Sequence, residues 1–324
     1  MPYRERGIRL NRTTPPDYRR RVPETPRHYV SSDEDSARWA SLPFREGDIV
    51  ISTRSKSGTT WMQMICALLV FQRPELPAPI ADLSPWLDHL TEPLDSVLAK
   101  LDAQRHRRFI KTHTPLDGVP DDPRVTYIVV ARYPLDMAVS LYHQGDNLDR
   151  ERMAELIGAP PPDKPSKPRT PLHEWLLDWV HSDDDPVEWT DSMPGVMAHL
   201  RDAWRRRDEP NLLLVHYQDL LDDLDGQMCM IAGRLGIEVP AAVWPELVEA
   251  ATFASMRSHA ADLVPDRNGV LKDPLAFFRR GRSGAGRATL TPGEFDGYLA
   301  RAAELAPPDL LAWLHRDSSV PATG

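Results

Sequence analysis

Ser52-Thr53-Arg54-Ser55-Lys56-Ser57-Gly58-Thr59-Thr60-Trp61 is the stretch on which the reading of this chain turns. Residues 47–53 (GDIVIST) before it are apolar enough for a short buried strand, and apolar residues recur at helical spacing over residues 59–71 after it. The turn between holds small residues and one Lys. Backbone N–H groups at a helix start converge on an anion placed there, and the helix dipole adds to the attraction. Gly58 lets the backbone approach closely, Lys56 brings a compact mobile charge, and Thr59 and Thr60 offer hydroxyls. On these residues alone, a Ser/Thr-capped helix start with an incidental Lys fits equally well. A Walker A loop does not fit: Lys56 precedes Gly58, and no Gly lies upstream within the loop.

Working outward, residues 107–112 (RRFIKT), 124–131 (RVTYIVVA) and 211–216 (NLLLVH) predict three further strands. The second is almost continuously apolar, as a parallel strand covered on both faces must be. Helices are expected over 133–145, where Pro134 suits a first turn, and over 172–180, 196–207, 220–235 and from about 292. Residues 158–171 (GAPPPDKPSKPRTP) read as a proline-rich loop. An Arg- and Gly-rich stretch after Phe253, to about 287, is loop-like. Strands alternating with helices predict an α/β fold of three layers, a central parallel sheet flanked by helices, with ligands at the strand C-termini. No repeats occur and no composition shift marks a second domain. The expected organisation is a basic, proline-containing arm over 1–41, with eight Arg among residues 1–29, and one domain over 42–324.

A net charge of −9 argues against a general nucleic-acid or membrane binder, so any anion site must be built locally. The two cysteines, Cys66 and Cys229, have neither metal-ligand nor redox spacing, which fits a reducing compartment. No run approaches the ~20 apolar residues of a membrane span, and the N-terminus lacks the apolar segment of a secretory signal. A cytoplasmic protein is the expectation.

Lys56-Ser57-Gly58-Thr59-Thr60-Trp61 after a strand resembles the 5′-phosphosulfate loop of the cytosolic sulfotransferase family, whose donor is 3′-phosphoadenosine 5′-phosphosulfate (PAPS). The family's preceding proline is Ser55 here. Its other signatures follow in order, and the order is more specific than any one of them. Lys111-Thr112-His113 ends a strand; a lone His there is more often a plain surface or core residue, but the resemblance makes His113 the general base and Lys111 a holder of the transferring group. Arg132, Pro134, Asp136 and Ser140 resemble the 3′-phosphate segment, in which an Arg forks onto phosphate oxygens. Asp136 is expected to hold the loop or Arg132. Tyr217, in a segment where Gln218 replaces the family's Glu, matches the Tyr against the adenine, with Trp61 also at the adenine and Phe253 near the nucleotide. A core aromatic is the competing reading of Phe253 and a weaker one of Trp61. Arg279-Arg280-Gly281 resembles the segment closing over the 3′-phosphate, although Gly284-Ala285-Gly286-Arg287 stands where the family has Gly-Asp-Trp-Lys. Thr289-Leu290 and Glu294 are a remnant of the family's dimer segment, and no dimer is inferred from them.

The resemblance spans roughly residues 42–300. It implies transfer of a sulfuryl group from PAPS to a hydroxyl, or an amine, of a small-molecule acceptor, leaving adenosine 3′,5′-bisphosphate (PAP), with no metal. The donor site would comprise Lys56, Ser57, Gly58, Thr59, Thr60 and Trp61 with Arg132, Ser140, Tyr217, Phe253, Arg279, Arg280 and Gly281. By position, residues 86–89, 142–147 and the helices after the proline-rich loop would wall the acceptor, and 158–171 would form a lid or rim. Two rivals differ in class. A P-loop nucleotide kinase needs a complete Walker A and an acidic Mg²⁺ ligand where the third strand ends in Ala131-Arg132. An inactive nucleotide-binding module is opposed by the presence of both Lys56 and His113.

Overall fold

The computed structural model describes residues 25–160, 168–263, 268–279, 281 and 283–315. Four strands, β1 (Ile49–Ser52), β2 (Phe109–Thr112), β3 (Thr126–Ala131) and β4 (Leu212–His216), form one sheet in the order β2-β1-β3-β4. All three pairings are parallel, with Ile51 opposite Lys111 and Ile128, and Ala131 opposite His216. Apart from Thr126 and Leu214 every strand residue is buried, which is why β3 reads as a nearly unbroken apolar run, while the polar Ser52, Lys111, Thr112 and His216 lie at strand C-terminal ends.

Side chains of successive strand residues leave opposite faces, and two cores result. Val50, Ile110, Tyr127 and Val129 pack against α2 (Pro134–Asn147), α3 (Leu172–Val180), α4 (Met193–Arg205) and α7 (Pro292–Leu305). Ile49, Ile51, Ile128 and Val130 pack against α1 (Thr59–Phe71) and α6 (Leu224–Leu235) on the other face. The chain is thus the expected three-layer α/β sandwich. Because β1 is flanked by β2 on one side and β3 on the other, the loops leaving their C-termini diverge and open a crevice, the usual ligand position in such sheets.

Several boundaries differ from expectation for local reasons. The helix expected over 220–235 is two: α5 (Tyr217–Asp222) starts directly at the strand end, and Asp223 breaks the run by capping α6, its carboxylate accepting from Gly226 N at 2.9 Å. Helix α4 begins ahead of residue 196 because Ser192 caps it and Pro194 fits its first turn. The stretch expected as loop over 253–287 carries short helices, including Phe253–Ser258, Pro274–Phe277 and Ala285–Thr289. Packing also begins ahead of Leu42. Trp39, in a 3-10 helix over Ser36–Ser41, is 1 % exposed within the first core, and Tyr29 is buried as well.

Candidate active site

β1 delivers the chain to the phosphate loop, which reverses through two left-handed residues, Lys56 at φ 62° and Gly58 at φ 110°. Lys at positive φ is uncommon, and such backbone clusters at ligand sites. Gly58 is required twice over: its φ disfavours a side chain, and a Cβ there would lie 3.0 Å from the Tyr217 ring. Helix α1 starts at Thr59 with no side chain capping it, so its leading N–H groups are not satisfied in that way. Thr53 and Thr59 join hydroxyls across the turn. Ser57 is buried behind the loop, its N–H donating to Arg54 O at 3.1 Å.

Lys56 Nζ lies 3.8 Å above the Phe277 ring and donates to Gln144 Oε1 at 3.3 Å. Burial first, then the nearby Arg132, Lys111 and Arg279 cations, pull its pKa down to about 7. Arg132, just past β3, donates from Nη1 to Lys56 O at 3.0 Å and lays its guanidinium 4.5 Å from the Tyr217 ring centre. Its Nε is buried without a hydrogen-bond partner. A buried donor left unmade beside converging cations fits an anionic ligand. Ser140, on the same helix as Asp136, lines the same cavity.

Asp136 holds the loop. Its two carboxylate oxygens accept from Gly284 N and Gly286 N, each at 2.8 Å. In the segment where the family has Gly-Asp-Trp-Lys, Gly284 and Gly286 thus serve as backbone donors, and Gly286 packs so closely that a Cβ would lie 2.4 Å from Leu135 C. This clasp brings Arg279 and Gly281 to the cavity that Arg132 and Ser140 line. Gly281 lies flat on Phe253, where a Cβ would come within 2.5 Å of the ring. Arg280 lies outside the described residues. Trp61 meets Tyr217 edge-on with centroids 5.3 Å apart and donates from Nε1 to Ala251 O at 2.8 Å.

His113 follows β2. Its Nδ1 is 2.6 Å from Thr53 O; a carbonyl accepts only, so Nδ1 carries the proton and Nε2 the lone pair. Burial, then Lys111 and Arg54, depress its pKa well below the usual imidazole value. Trp86 stands edge-on to it at 4.7 Å, stacks on His89 at 4.0 Å, and lies 3.7 Å below Lys111 Nζ. Burial draws Lys111 down to about 8 against the raising effects of Glu34 and Asp88. Asp88 fixes the turn: Oδ2 accepts from Thr114 Oγ1 at 2.6 Å and from Trp39 Nε1 at 2.9 Å, and also from Thr112. The N-terminal segment thereby supports the strand end that carries His113, and its Glu34 lines the same cavity.

The cavity measures ≈ 1090 Å³ and runs from the phosphate loop past His113 to a wall containing Trp175, Trp179 and Asp191. It gathers the expected site residues Lys56, Lys111, His113, Arg132, Tyr217 and Phe253, but not Ser57. From residues 142–147, Gln144 lines it, whereas Asn147 is spent on Asp273, donating to Asp273 O and accepting from Asp273 N at 2.8 Å each. Residues 161–167 of the proline-rich stretch lie outside the described residues. Its C-terminal flank is tied to α2, with Arg169 stacked 3.5 Å from Tyr142 and paired to Asp146. Sequence reasoning gave no role to Arg54 or Asp191, and it placed Asp88 and Gln144 only within the segments expected to wall the acceptor. Arg54 sat in the phosphate loop already singled out, but Asp191, which it pairs with, is 137 residues away. Among the described residues no helix is long and apolar enough to cross a membrane, and no group of three or more His, Cys, Asp or Glu is placed to hold a metal.

A statistical profile of the sulfotransferase domain matches residues 46–301. The chain belongs to the sulfotransferase family. It is 41% identical over 306 residues to a glycolipid sulfotransferase of Mycobacterium bovis, spanning 89% of this chain and 93% of that one. A glycolipid sulfotransferase of Mycobacterium tuberculosis is 41% identical over 305 residues, at the same coverages. The fold resembles that of retinol dehydratase crystallised with retinol and PAP, with TM-score 0.64, 21% identity, and 89% and 86% of the two chains covered. A mouse sulfotransferase complexed with PAP gives TM-score 0.59 at 21% identity, covering 87% and 88%. This sulfotransferase is a PAPS-dependent enzyme of sulfuryl transfer, and the comparisons favour neither a nucleotide kinase nor an inactive binding module.

Proposed function

We propose that this sulfotransferase moves the sulfuryl group of PAPS onto a hydroxyl of an amphiphilic acceptor in the cytoplasm, with His113 as general base. The observation that carries this reading is the 2.6 Å contact of His113 Nδ1 with the Thr53 carbonyl, which assigns the tautomer of His113. Its Nδ1–H is committed to Thr53 O, and Nε2 keeps its lone pair in the cavity shared with Lys56. PAPS supplies the sulfuryl group and a leaving 5′-phosphate. Lys56 and the uncapped start of α1 neutralise charge as it builds on that phosphate, which makes the donor a better electrophile without a metal clamp. Arg132, Ser140 and Arg279 hold the 3′-phosphate, and Trp61, Tyr217 and Phe253 pack the adenine. That grip lies away from the reacting bond and so orients it. His113 Nε2 takes the acceptor's proton as its oxygen attacks in line, and Lys111 steadies the transferring group.

For the acceptor, the wall beyond His113 presents Trp86, Trp175, Trp179 and Trp189. Broad indole faces suit the apolar faces of a sugar ring or an aromatic alcohol. The mycobacterial relatives are named glycolipid sulfotransferases, so a saccharide hydroxyl on a lipid is the first acceptor class to test. The experiment incubates the enzyme with ³⁵S-labelled PAPS and alkyl glycosides, glycolipids, sterols and phenols, and reads label transfer by mass spectrometry and chromatography. Transfer to sugar-bearing amphiphiles is expected. Transfer to phenols alone overturns the acceptor class, and failure to bind PAP more tightly than AMP overturns the donor site.

A further inference from the structure

Arg54 belongs to the phosphate loop, yet its side chain is only 2 % exposed and its hydrogen bonds go to the acceptor side. Its Nη1 donates to the backbone carbonyl of His113. Nη2 donates to Thr190 Oγ1 and to Asp191 Oδ1, both at 2.7 Å, and Nε reaches the same carboxylate oxygen at 3.2 Å. Asp191 is held from a second direction, its carbonyl accepting from Trp179 Nε1 at 2.8 Å. Thr190, Asp191 and Trp179 all line the cavity. One guanidinium thus joins the phosphate loop, the strand end carrying His113, and the segment that leads into α4. A planar fork with five donors serves three acceptors at once, which a Lys ammonium on a single flexible stem does not.

We propose that Arg54 is a positioning residue that fixes His113 against the acceptor wall at Thr190 and Asp191, so that the geometry of that wall sets the geometry of the base. The proposal rests on His113 acting as the base. Removing either partner exposes the logic of the site. Without Asp191 a buried guanidinium loses its counter-charge, and without Arg54 the His113 carbonyl and the Asp191 carboxylate lose their shared donor. The groups around His113 fix the electrostatic consequences. Lys111 on β2, Arg54 from the loop and His89 beside Trp86 all disfavour imidazolium, while Thr53 O favours it. Asp191 lies on the far side of Arg54, and the buried His199 of α4 is also lowered by the Arg54 charge.

The test is nuclear magnetic resonance of ¹⁵N-histidine-labelled full-length enzyme with PAP bound, His113 being assigned with His113→Gln. Long-range ¹H–¹⁵N spectra give its tautomer and titration midpoint in wild type, R54K, R54A and D191N. Wild type should show a single Nδ1–H tautomer. R54K keeps the charge but not the fork, so the midpoint should stay low while the tautomer becomes mixed. R54A should raise the midpoint, and D191N should leave it at or below the wild-type value. Acceptor kcat/KM should fall on the order of 10²-fold in R54K, as for misplaced catalytic groups, with PAP affinity unchanged. Wild-type tautomer and midpoint in both Arg54 variants overturn the proposal, as does a loss of PAP affinity that accounts for the lost rate. If R54A does not fold, R54K and D191N still decide it. Normal turnover in His113→Ala removes the base assignment and leaves the spectroscopic result to judge the positioning separately.

Discussion

Lys56 is buried among cations, and its pKa of about 7 reflects first that burial and then that company. At about pH 8 most of it is neutral in the free enzyme. Bound phosphates reverse the local field and raise its pKa, so PAP binding should take up protons at that pH, with Lys111, drawn down to about 8, adding to the uptake. Calorimetry in two buffers of different ionisation enthalpy measures this directly, and affinity should weaken as pH rises from about 7 to 9. Lys56→Ala should lose most of the uptake and lower binding and turnover together. His113 behaves differently. Its depressed pKa keeps Nε2 unprotonated at neutral pH, so the acid limb of the single-turnover rate should lie below the usual imidazole value of about 6.5. His113→Ala should cost roughly 10²–10⁴-fold in rate with PAP affinity near wild type. A parallel loss of affinity would place His113 in the donor site instead.

At the scale of elements, the 3′-phosphate subsite depends on two segments remote in sequence that Asp136 clasps together. α2 follows Arg132 directly, and Asp136 in its first turn takes both N–H groups from residues 284 and 286. Asp136→Ala leaves the buried Gly286 donor unmade, at about 1–3 kcal/mol, turns the more exposed Gly284 N–H to water, and frees the segment bearing Arg279. The expected result is weaker PAP binding with AMP binding nearly unchanged, because AMP lacks the 3′-phosphate. Titration of both nucleotides checks this; equal losses for the two would mean that the clasp supports the adenine side as well. Gly286→Ala should act in the same direction, since its Cβ meets Leu135 backbone.

Across the whole molecule, stability and catalysis are anchored at opposite ends of the sheet. Arg108, just before β2, pairs with Asp48, just before β1, and both side chains are 2 % exposed. Arg108→Ala strands a buried carboxylate and should cost about 3–5 kcal/mol, while the transfer rate per folded molecule stays the same. Trp39→Ala should cost a similar amount, about 3–5 kcal/mol as for large buried aromatics, but with a different signature. It also releases Asp88 from one of the bonds that brace the turn bearing His113, so the rate should fall too. Urea unfolding and single-turnover kinetics on both variants separate the two effects.

The alternation of largely apolar strand segments with helical periodicity determined the fold class by itself, because a parallel strand covered on both faces must be mostly apolar. The candidate site was legible through the resemblance, because Lys56, His113, Arg132, Tyr217 and Arg279 match the family's signatures in the family's order; taken singly, their segments have ordinary readings. What only the tertiary structure decided are pairings between distant segments that have no local signature. Arg54 reaches Asp191, Asp136 holds Gly284 and Gly286, and Trp39 reaches Asp88. A carboxylate's partner is fixed by which loops the packed layers bring together, and spacing along the chain does not encode that. The same reason hid the packing of the N-terminal segment. Its prolines and arginines made residues 1–41 read as a basic arm outside the domain, and the burial of Tyr29 and Trp39 depends on a surface supplied by the folded domain.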